Sequence, residues 1–593
     1  MPEQPWLPYY GEIPASISYP DLTLYELFER AAAEYGSHTA VEYLGERVAY
    51  RRVKRLVDAA ARALWAVGVR SGDRLALILP NMAHAPVLLY AANRLGVVTS
   101  FFHAEAGSRL IAQRITDFAP SWMAVTTEHV DGLCRLIADR GVQGIISCSY
   151  SDFGRPGKIR TMQLLRRRYN IATGGIRGAA ALSPRGPSVS PEHPPLFAWK
   201  SFLKLGSTVE TPAHRELHGP DRLAMVLFTG GTTGSGEGVM HTDRQLTAVA
   251  LQSQVQGPVL AGQSVLSAVP LSHGYGVAVS VHATLAAGAM SILVPHTTPR
   301  SLARVYRRLR PEYLIGVPST YADLVLDRVF RTTRHRALMG AFCGGERLPR
   351  AVRELFERIV RRRGGAVSIR EGYGLTETVT ACATMPDGEE RSGSVGIPYP
   401  DTEIAIARPV PGTPDLSEVP PAFVPYGTLG EILVSGPTVM SGYLEGEDAT
   451  ARVLHPDGEQ RVWLRTGDLG WMDADGFLYF VERIGRAVAH GEPTVHPGIT
   501  ERAINDHLEV LEACVTLEHG ATGVSLTAHV TPIDTDRDER WLEEHLRDSL
   551  QTLEPHQQPV RYAFHERLPR TPAGLIDHHR LGALQRGSDE TVA

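Results

Sequence analysis

The sequence predicts an α/β protein with a large N-terminal domain of mainly parallel sheets and packed helices, followed by a small, mobile α+β domain. Apolar runs typical of buried strands alternate with helical patterns over most of the chain, and this alternation ends near Glu482. The length of 593 residues also exceeds what a single hydrophobic core normally serves. Both observations favour two domains of unequal size.

The alternation begins between about His38 and Thr126. The run LALILP at 75–80 predicts a buried strand, and APVLLYAANRLG at 85–96 predicts the helix that follows it. A Pro-rich segment between Leu182 and Leu196 predicts an extended surface stretch. The pattern then resumes in four runs that each read as a strand entering a Gly, Ser or Pro turn: SVLSAVPLS, MSILVPH, EYLIGVPS and LMGAFCGG.

The C-terminal part has a different pattern. Helices are predicted at Ile499–Leu511 and Glu539–Leu553, among short strands. We therefore expect an N-terminal domain at residues 1–482 and a mobile cap domain at residues 483–593.

Charge and composition exclude several classes of protein. The 60 Lys and Arg nearly balance the 65 Asp and Glu, so neither nucleic acid nor an anionic membrane is expected as the main partner. The apolar stretch Gly274–Val294 contains His282 and breaking glycines, which predicts a buried helix and strand rather than a membrane span. Five scattered cysteines indicate neither a disulfide framework nor a zinc site, and no signal peptide is recognisable. We expect a cytoplasmic protein.

A Gly-rich segment follows the apolar run LAMVL. This segment, FTGGTTGSGEGV at 228–239, combines Thr and Ser hydroxyls with unobstructed backbone N–H groups. A strand that runs into such a loop is typical of a phosphate-binding site. A tight turn between two strands is the alternative that the segment alone leaves open.

Further motifs follow in order along nearly the whole chain, namely FTGGTTG at 228–234, PLSHGYG at 270–276, FCGGERLP at 342–349, EGYGLTET at 371–378, GEILVSGPTVMSGYL at 430–444, LRTGDLG at 464–470 and PRTPAG at 569–574. With them the sequence resembles the adenylate-forming superfamily of acyl-CoA synthetases, peptide-synthetase adenylation domains and luciferase. TGGTTG and the Pro-rich insertion most resemble the long-chain fatty acyl-CoA synthetase branch. The resemblance implies that a carboxylate and ATP give acyl-AMP and pyrophosphate, and that CoA then displaces AMP.

The resemblance also implies roles for individual residues. Thr376 would bind the α-phosphate and Glu377 would hold Mg²⁺, while His273 aligns with the residue beside the acyl carboxylate, so these three are the candidate catalytic residues. Asp468 would accept both ribose hydroxyls and Arg483 would contact the ribose or phosphate. The other expected AMP-binding positions are Thr229, Thr232, Thr233, Gly344, Gly345, Glu346, Gly372, Tyr373 and Gly374. Outside the motif context, Thr376 and Glu377 would also fit a helix cap, Asp468 a turn, and His273 a structural role.

The sequence departs from the family pattern at three places. The family's phosphate loop ends in Pro-Lys-Gly, but here Glu237 stands in the lysine position between two glycines. The motif PRTPAGL has Leu575 where the family has its adenylation lysine, and no lysine follows Lys204 anywhere in the chain. The hinge motif, usually DRxK or GRxD, reads ERIG at 482–485.

Glu237 and Leu575 both remove positive charge from the side that handles the β,γ-phosphates, whereas the residues expected to hold AMP remain. We therefore predict an enzyme that transfers the acyl group of a preformed acyl-AMP to CoA and makes little or no adenylate itself, with Mg²⁺ as an optional cofactor. A separate adenylating enzyme would supply the acyl-AMP. This pattern resembles that of a non-adenylating acyl-CoA ligase acting on a bulky terpenoid or fatty acyl group in natural-product biosynthesis.

Three alternatives stay open at this point. A complete ATP-dependent acyl-CoA synthetase could use an arginine or histidine in place of the lysine, although these differ from lysine in reach and geometry. A non-catalytic adenylate-binding pseudoenzyme would bind acyl-AMP without forming a thioester. An acyltransferase of the same fold could deliver the acyl group to an amine or a carrier-protein thiol.

Overall fold

The computed structural model describes residues 4–137, 140–154, 188–190, 193–211, 219–230, 236–295, 298–410, 421–457, 461–489, 494–520, 523–534, 536–571 and 574–585. Two large, mainly parallel sheets dominate the N-terminal part of these residues, with nine described strands in each. The first sheet has the spatial order Ile397–Pro398, Ala381–Thr384, Ile369–Gly374, Gly340–Cys343, Tyr313–Gly316, Ser264–Ser267, Met290–Leu293, Thr39–Tyr43 and Glu46–Ala49. The second has the order Gly442–Tyr443, Gly238–Thr242, Leu223–Phe228, Val98–Phe101, Arg74–Ile78, Trp122–Thr126, Gly144–Cys148, His193–Ala198 and Ser188–Ser190.

Helices cover both sheets, as their apolar strands require. In the long helix Tyr50–Ala66, for example, the buried residues Val53, Val57, Ala60, Ala61 and Leu64 recur at three- and four-residue intervals. The helices of the N-terminal part are Leu24–Glu34, Tyr50–Ala66, His84–Arg94, Ser108–Phe118, Val130–Ile137, Trp199–Leu205, Asp243–Gln256, Tyr275–Ala283 (a π-helix), Thr284–Ala286, Pro299–Leu309, Pro318–Leu326, Arg328–Thr332, Arg350–Arg362 and Glu447–Ala451.

Smaller sheets complete the chain. An antiparallel third sheet contains Glu403–Ala407, Gly430–Ser435, Val462–Met472, Leu454–Pro456 and Leu478–Arg483. Beyond it lie a two-stranded ribbon, Val488–Ala489 with Thr494–Val495, and a three-stranded sheet, Val510–Gly520, Gly523–Pro532 and Arg561–Phe564. The C-terminal helices are Pro497–Asn505, Glu539–Ser549 and His578–Gln585. This change of architecture falls beside the expected boundary at 482/483, which stays a prediction.

The predicted helix at Ile499–Leu511 is wrong at its C-terminal end. The observed helix, Pro497–Asn505, ends earlier because Asn505 ties it to the following strand: its Oδ1 accepts from Ala513 N at 2.9 Å, and its Nδ2 donates to Ala513 O at 3.0 Å. The second predicted helix is observed as Glu539–Ser549, with a 3₁₀ turn at Leu550–Thr552. The Pro-rich segment lies partly outside the described residues. Its described parts belong to the edge strand Ser188–Ser190 and to the neighbouring strand His193–Ala198.

The apolar stretch Gly274–Val294 behaves as the sequence predicts. It forms the buried π-helix Tyr275–Ala283, the short helix Thr284–Ala286 and the strand Met290–Leu293. Among the described residues, no helix has both the length and the apolar composition needed to cross a membrane. All five cysteines are free.

Candidate functional site

A cleft of about 1330 Å³ lies between the two large sheets and the C-terminal part of the chain. The carboxyl ends of parallel strands open into it, which is where α/β proteins usually bind ligands. Most of the residues predicted from the motifs line this cleft together, namely Thr229, Glu237, His273, Gly344, Gly345, Glu346, Gly372, Tyr373, Gly374, Thr376, Glu377, Arg483 and Leu575. Thr232 and Thr233 lie outside the described residues.

Three residues form what we call the ribose corner: Tyr373, Asp468 and Arg483. Asp468 is buried behind the cleft wall, and its Oδ2 accepts a hydrogen bond from the Tyr373 hydroxyl at 2.7 Å. Oδ1 lies 3.0 Å from Arg483 Nε as an ion pair but accepts no hydrogen bond from any described donor. Burial raises the pKa of Asp468 to about 6, and the guanidinium opposes that rise. One carboxylate oxygen is thus held while the other has an open acceptor site.

Strand pairing positions this corner. Asp468 and Arg483 are register partners in the third sheet, so their side chains emerge on the same face. Tyr373 reaches them from the first sheet, and its ring packs on Phe480 with centroids 6.1 Å apart. Next to it, a Cβ at Gly374 would lie 1.8 Å from Thr380 O, so only glycine lets the two backbones approach this closely.

The turn after this strand carries Thr376 and Glu377. The Thr376 carbonyl is held by His241 Nε2 at 2.8 Å, and Glu377 Oε1 accepts from the Tyr443 hydroxyl at 2.9 Å. Val379 closes the turn at φ 64°, a left-handed conformation that a β-branched residue rarely adopts. Such strain is typical of functional loops held by their surroundings. Glu377 suits Mg²⁺ because it offers a hard carboxylate oxygen beside the hydroxyl of Thr376.

The Gly-rich loop presents an acid to the same region. Its described ends are fastened by Thr229, whose Oγ1 accepts from Glu237 N at 2.9 Å, and by Gly238 N, which donates to Glu445 Oε1 at 2.8 Å. Partial burial, and then the carboxylates of Glu377 and Glu445, raise the pKa of Glu237. Three carboxyl groups therefore surround this part of the cleft, which we call the phosphate side.

Leu575 lies inside the cleft. It packs against the apolar cluster of Val265, Val269, Tyr313, Ile315 and Val317, and a Cβ built on Gly345 would lie 3.2 Å from its Cδ2. Its segment is docked on the N-terminal part by two bonds: Ser319 Oγ donates to Gly574 O at 2.8 Å, and Ile576 N donates to Glu346 Oε1 at 2.7 Å. The position expected for the adenylation lysine thus faces the site, but with an apolar side chain.

Glu346 is one of the expected AMP-binding residues, and its carboxylate also holds this docked segment. Burial raises the pKa of Glu346 to about 7, while the Ile576 amide opposes the rise. Arg570 is the nearest described cation on the segment, and it ion-pairs with Glu512 and lies 3.8 Å from Glu346. Its charge is therefore shared with two acids.

His273 lines the cleft next to the π-helix. Its Nδ1 accepts from Tyr275 N at 3.2 Å, an arrangement that leaves Nε2 as the protonated nitrogen. Burial lowers the pKa of His273, so the ring is neutral. It can donate one hydrogen bond into the cleft.

A further group of three side chains borders the cleft. Ligand atoms of Glu501, Cys514 and His578 lie within 4.8 Å of one another. Both carboxylate oxygens of Glu501 accept from Arg486, at 2.6 and 2.9 Å, and Cys514 Sγ lies 3.1 Å from His578 Nδ1. The guanidinium occupies the oxygens that a cation would need, so we interpret the group as a hydrogen-bonded network.

Sequence reasoning missed four residues that shape the site: Arg114, His241, Tyr443 and Glu445. Tyr443 lies within the motif GEILVSGPTVMSGYL, but nothing in that motif reveals that its hydroxyl meets Glu377. Arg114 is buried beside the phosphate side. Its Nη2 lies 3.5 Å from Thr229 O, and its guanidinium carbon lies 5.2 Å from the centroid of the Phe228 ring. It comes from a helix with no recognisable motif.

Known proteins resemble this chain over most of its length. The model of the family described as AMP-binding enzyme matches residues 28–444. A long-chain-fatty-acid–CoA ligase of Salmonella typhimurium is 28% identical over 600 residues, covering 99% of both chains. A feruloyl-CoA synthase of Amycolatopsis is 27% identical over 547 residues, covering 91% of this chain and 94% of its own.

Solved structures support the fold. A benzoate CoA ligase from Burkholderia xenovorans matches with a TM-score of 0.76 at 20% identity, covering 94% of this chain and 99% of that chain. An anthranilate CoA ligase in complex with anthranoyl-AMP matches with a TM-score of 0.75 at 18% identity, covering 97% and 98%. The predicted fold class, a large N-terminal domain and a smaller C-terminal one, is confirmed.

Proposed function

The chain belongs to the AMP-binding enzyme family, and we propose that it transfers the acyl group of an acyl-adenylate to coenzyme A while making little or no adenylate itself. The observation that carries the proposal is the place of Leu575. The docked C-terminal segment points this residue into the cleft, at the position where the family resemblance expects a lysine. A leucine offers no charge to an α-phosphate or an attacking carboxylate.

The phosphate side supports the same conclusion. Burial, and then the nearby carboxylates of Glu377 and Glu445, raise the pKa of Glu237, so the negative charges of these three groups repel one another. Pyrophosphate would add further negative charge here. Acyl-AMP brings only one phosphate, whose charge Arg483 and the Thr376 hydroxyl can meet.

The transfer of the acyl group to CoA depends little on the two family lysines that Glu237 and Leu575 replace. The CoA thiolate attacks the acyl carbon, the carbonyl oxygen gains the charge, and the carbon–oxygen bond to AMP then breaks as AMP leaves. We propose that the ribose corner holds AMP, that Thr376 binds the α-phosphate, and that the neutral His273 donates a hydrogen bond near the acyl carbonyl. Mg²⁺ bound by Glu377 would neutralise phosphate charge. The thiol proton is lost to solvent before attack.

Thiol access requires the docked segment to move. We propose that the C-terminal domain turns about the region of Gly485, where an added Cβ would meet no atom within 4 Å. That rotation would bring the strand around Val488 to Gly491 towards the incoming thiol; Val488–Ala489 is described, and positions 490 and 491 lie outside the described residues. It would also carry Leu575 out of the cleft.

A complete ATP-dependent acyl-CoA synthetase is the second candidate, and the curated relatives favour it over our proposal, because they are named as long-chain-fatty-acid–CoA ligases and feruloyl-CoA synthases. Arg114 supports it too, since this buried cation stands beside the phosphate side. The acyl group is part of the proposal as well. A resemblance to the non-adenylating acyl-CoA ligase of platensimycin and platencin biosynthesis favours a bulky diterpenoid acid, supplied as acyl-AMP by a separate adenylating enzyme, whereas the relatives favour a fatty or aryl acid.

Two assays on the purified protein separate the candidates. We expect no carboxylate-dependent exchange between pyrophosphate and ATP, but formation of acyl-CoA and AMP from synthetic acyl-AMP and CoA without ATP. Robust exchange, with contaminating ligases excluded, would establish the complete synthetase. Binding of an acyl-AMP analogue without any thioester product would instead establish an adenylate-binding pseudoenzyme. Competition between CoA, amines and carrier-protein thiols identifies the acceptor.

A further inference from the structure

One part of the cleft lining contains buried polar groups without partners among the described residues. Arg370 and Gln256 both line the cleft, and Gln256 is 4% exposed. Arg370 Nε donates to Met385 O at 2.7 Å and Nη1 donates to Gln256 O at 2.8 Å, but Nη2 is buried with no hydrogen-bond partner. The side-chain nitrogen of Gln256 is likewise buried and unpartnered. Two buried donors, on residues that the hydrogen bond from Arg370 Nη1 to Gln256 O joins, therefore have no partner among the described residues.

A third polar group lies on the same wall. Ser253 also lines the cleft, and its buried hydroxyl has no partner. It precedes Gln256 by three residues on the helix Asp243–Gln256, a spacing that places both side chains on one face.

Among the described residues, no carboxylate forms an ion pair or a hydrogen bond with Arg370. Its guanidinium lies 5.2 Å from the centroid of Phe342, and the charged or titratable groups that act on it are Tyr399, Asp387, Tyr275 and Tyr313. Asp387 is exposed and accepts no hydrogen bond from Arg370. Burial lowers the pKa of Arg370, as expected for a guanidinium away from water. A buried cation and buried donors without protein partners are costly, so water or a ligand must meet them.

Apolar side chains of one cluster also line the cleft. Val265, Ile315, Val279 and Tyr313 border it, and Phe342 fills the space that a side chain at position 257 would need. The cleft therefore suits a hydrophobic acyl body that carries at least one oxygen.

We propose that Arg370, Gln256 and Ser253 recognise an oxygen acceptor, a ketone or a carboxylate, on the acyl group at a distance from its reacting carbonyl. This proposal rests on the proposed function, since it assigns a substrate class to the same cleft. An unsubstituted fatty acyl chain would leave the three polar groups unpaired on binding. A site built to hydrogen-bond a ligand discriminates strongly against the analogue that lacks the group.

The test uses unreactive acyl-sulfamoyl-adenosines and the full chain. Calorimetry compares the decanoyl analogue with a series of oxo-decanoyl analogues, one for each ketone position, and with the terminal-carboxylate analogue. We expect at least one oxygenated analogue to bind about 10- to 100-fold more tightly than the decanoyl one. Preference for a ketone or for the carboxylate identifies which acceptor the site takes. Equal binding of all analogues overturns the proposal.

Variants test which residues cause the preference for an oxygenated analogue over the decanoyl one. Gln256→Leu removes an amide nitrogen that has no protein partner, so the fold should survive, and Arg370→Met removes the charge; both should reduce the preference to about twofold or less. Gln256→Glu should abolish preference for the carboxylate analogue by placing an acid beside Arg370. The exposed Arg328→Met is the matched control and should keep the full preference. An unchanged preference in Gln256→Leu and Arg370→Met refutes the assignment.

The same experiments distinguish failure of the substrate proposal from failure of the proposed function. If the decanoyl and oxygenated analogues bind alike and decanoyl-AMP is converted to decanoyl-CoA, only the substrate proposal fails. If no analogue binds, or if bound acyl-AMP yields no thioester with CoA, the proposed function itself fails.

Discussion

The ribose corner and the phosphate side belong to the same site, but only the ribose corner retains all the residues that the family resemblance predicts. The ribose corner holds a carboxylate, a phenol and a guanidinium in one connected set: Asp468, Tyr373 and Arg483. The phosphate side holds Glu237 among other acids, and Leu575 points into the cleft from the docked segment. In the function that we propose, binding of AMP and handling of pyrophosphate depend on separate residues. One capacity can be lost while the other is retained.

The largest expected effect comes from restoring the charge of the phosphate side. We expect Leu575→Lys combined with Glu237→Lys to raise pyrophosphate–ATP exchange by about 10²–10³-fold over the unmodified protein, because an ammonium would again stabilise charge in the adenylation transition state. Exchange of labelled pyrophosphate into ATP measures this. The matched variant Leu575→Met with Glu237→Gln changes shape and removes the acid without adding a cation, and it should gain far less. An equal gain in both variants would show that the added ammonium groups are not responsible.

The ribose corner should give the next largest effect. Asp468→Ala should weaken binding of an acyl-AMP analogue by about 10- to 100-fold, because it removes charge-assisted hydrogen bonds to the ribose. Arg483→Ala should act in the same direction. Calorimetric titration checks both, with Asp468→Asn as the control that keeps the shape and one acceptor. Unchanged affinity in Asp468→Ala would show that the ribose binds elsewhere.

The fold and much of the site follow from the sequence, for identifiable reasons. Strand runs such as LALILP are apolar on both faces, so their burial was predictable, and the structure has the strand Arg74–Ile78 there. Gly344, Glu346 and Glu377 reach the cleft because they follow the ends of the strands Gly340–Cys343 and Ile369–Gly374. The interplay of side chains from distant segments was not predictable: the Tyr443–Glu377 bond and the placement of Arg114 depend on tertiary packing that leaves no local pattern. The early end of the helix at Asn505 has the same origin.

The pKa of Asp468 predicts how the ribose corner responds to pH. With a pKa of about 6, raised by burial, Asp468 becomes protonated as the pH falls below 6, and affinity for the acyl-AMP analogue should decrease by up to about tenfold per pH unit. The effect on folding has the opposite sign. A raised pKa in the folded state contributes stability that is present below the ordinary value of 3.8 and is lost as the pH rises through about 6.

Titrations between pH 5 and 8 measure the affinity, and Asp468→Asn should flatten the pH dependence in this range. A pH profile that Asp468→Asn leaves unchanged would assign it to another group.

The smallest expected effect concerns Tyr443, and it distinguishes the two halves of the reaction most finely. Its hydroxyl holds Glu377 Oε1 at 2.9 Å, so Tyr443→Phe frees a carboxylate whose expected partner is Mg²⁺. Acyl transfer from a preformed acyl-AMP needs no metal-bound pyrophosphate, and its rate should therefore change by no more than about twofold. In the background of Leu575→Lys with Glu237→Lys, the same change should lower exchange and shift its dependence on Mg²⁺ concentration, because there Glu377 must orient the metal. Acyl-transfer assays and pyrophosphate–ATP exchange assays measure both effects. They compare the unmodified protein and the Leu575→Lys, Glu237→Lys variant, each with and without Tyr443→Phe. A large loss of transfer in Tyr443→Phe would mean that Glu377 serves the thioester step directly, and the division between the ribose corner and the phosphate side would then not follow the two half-reactions.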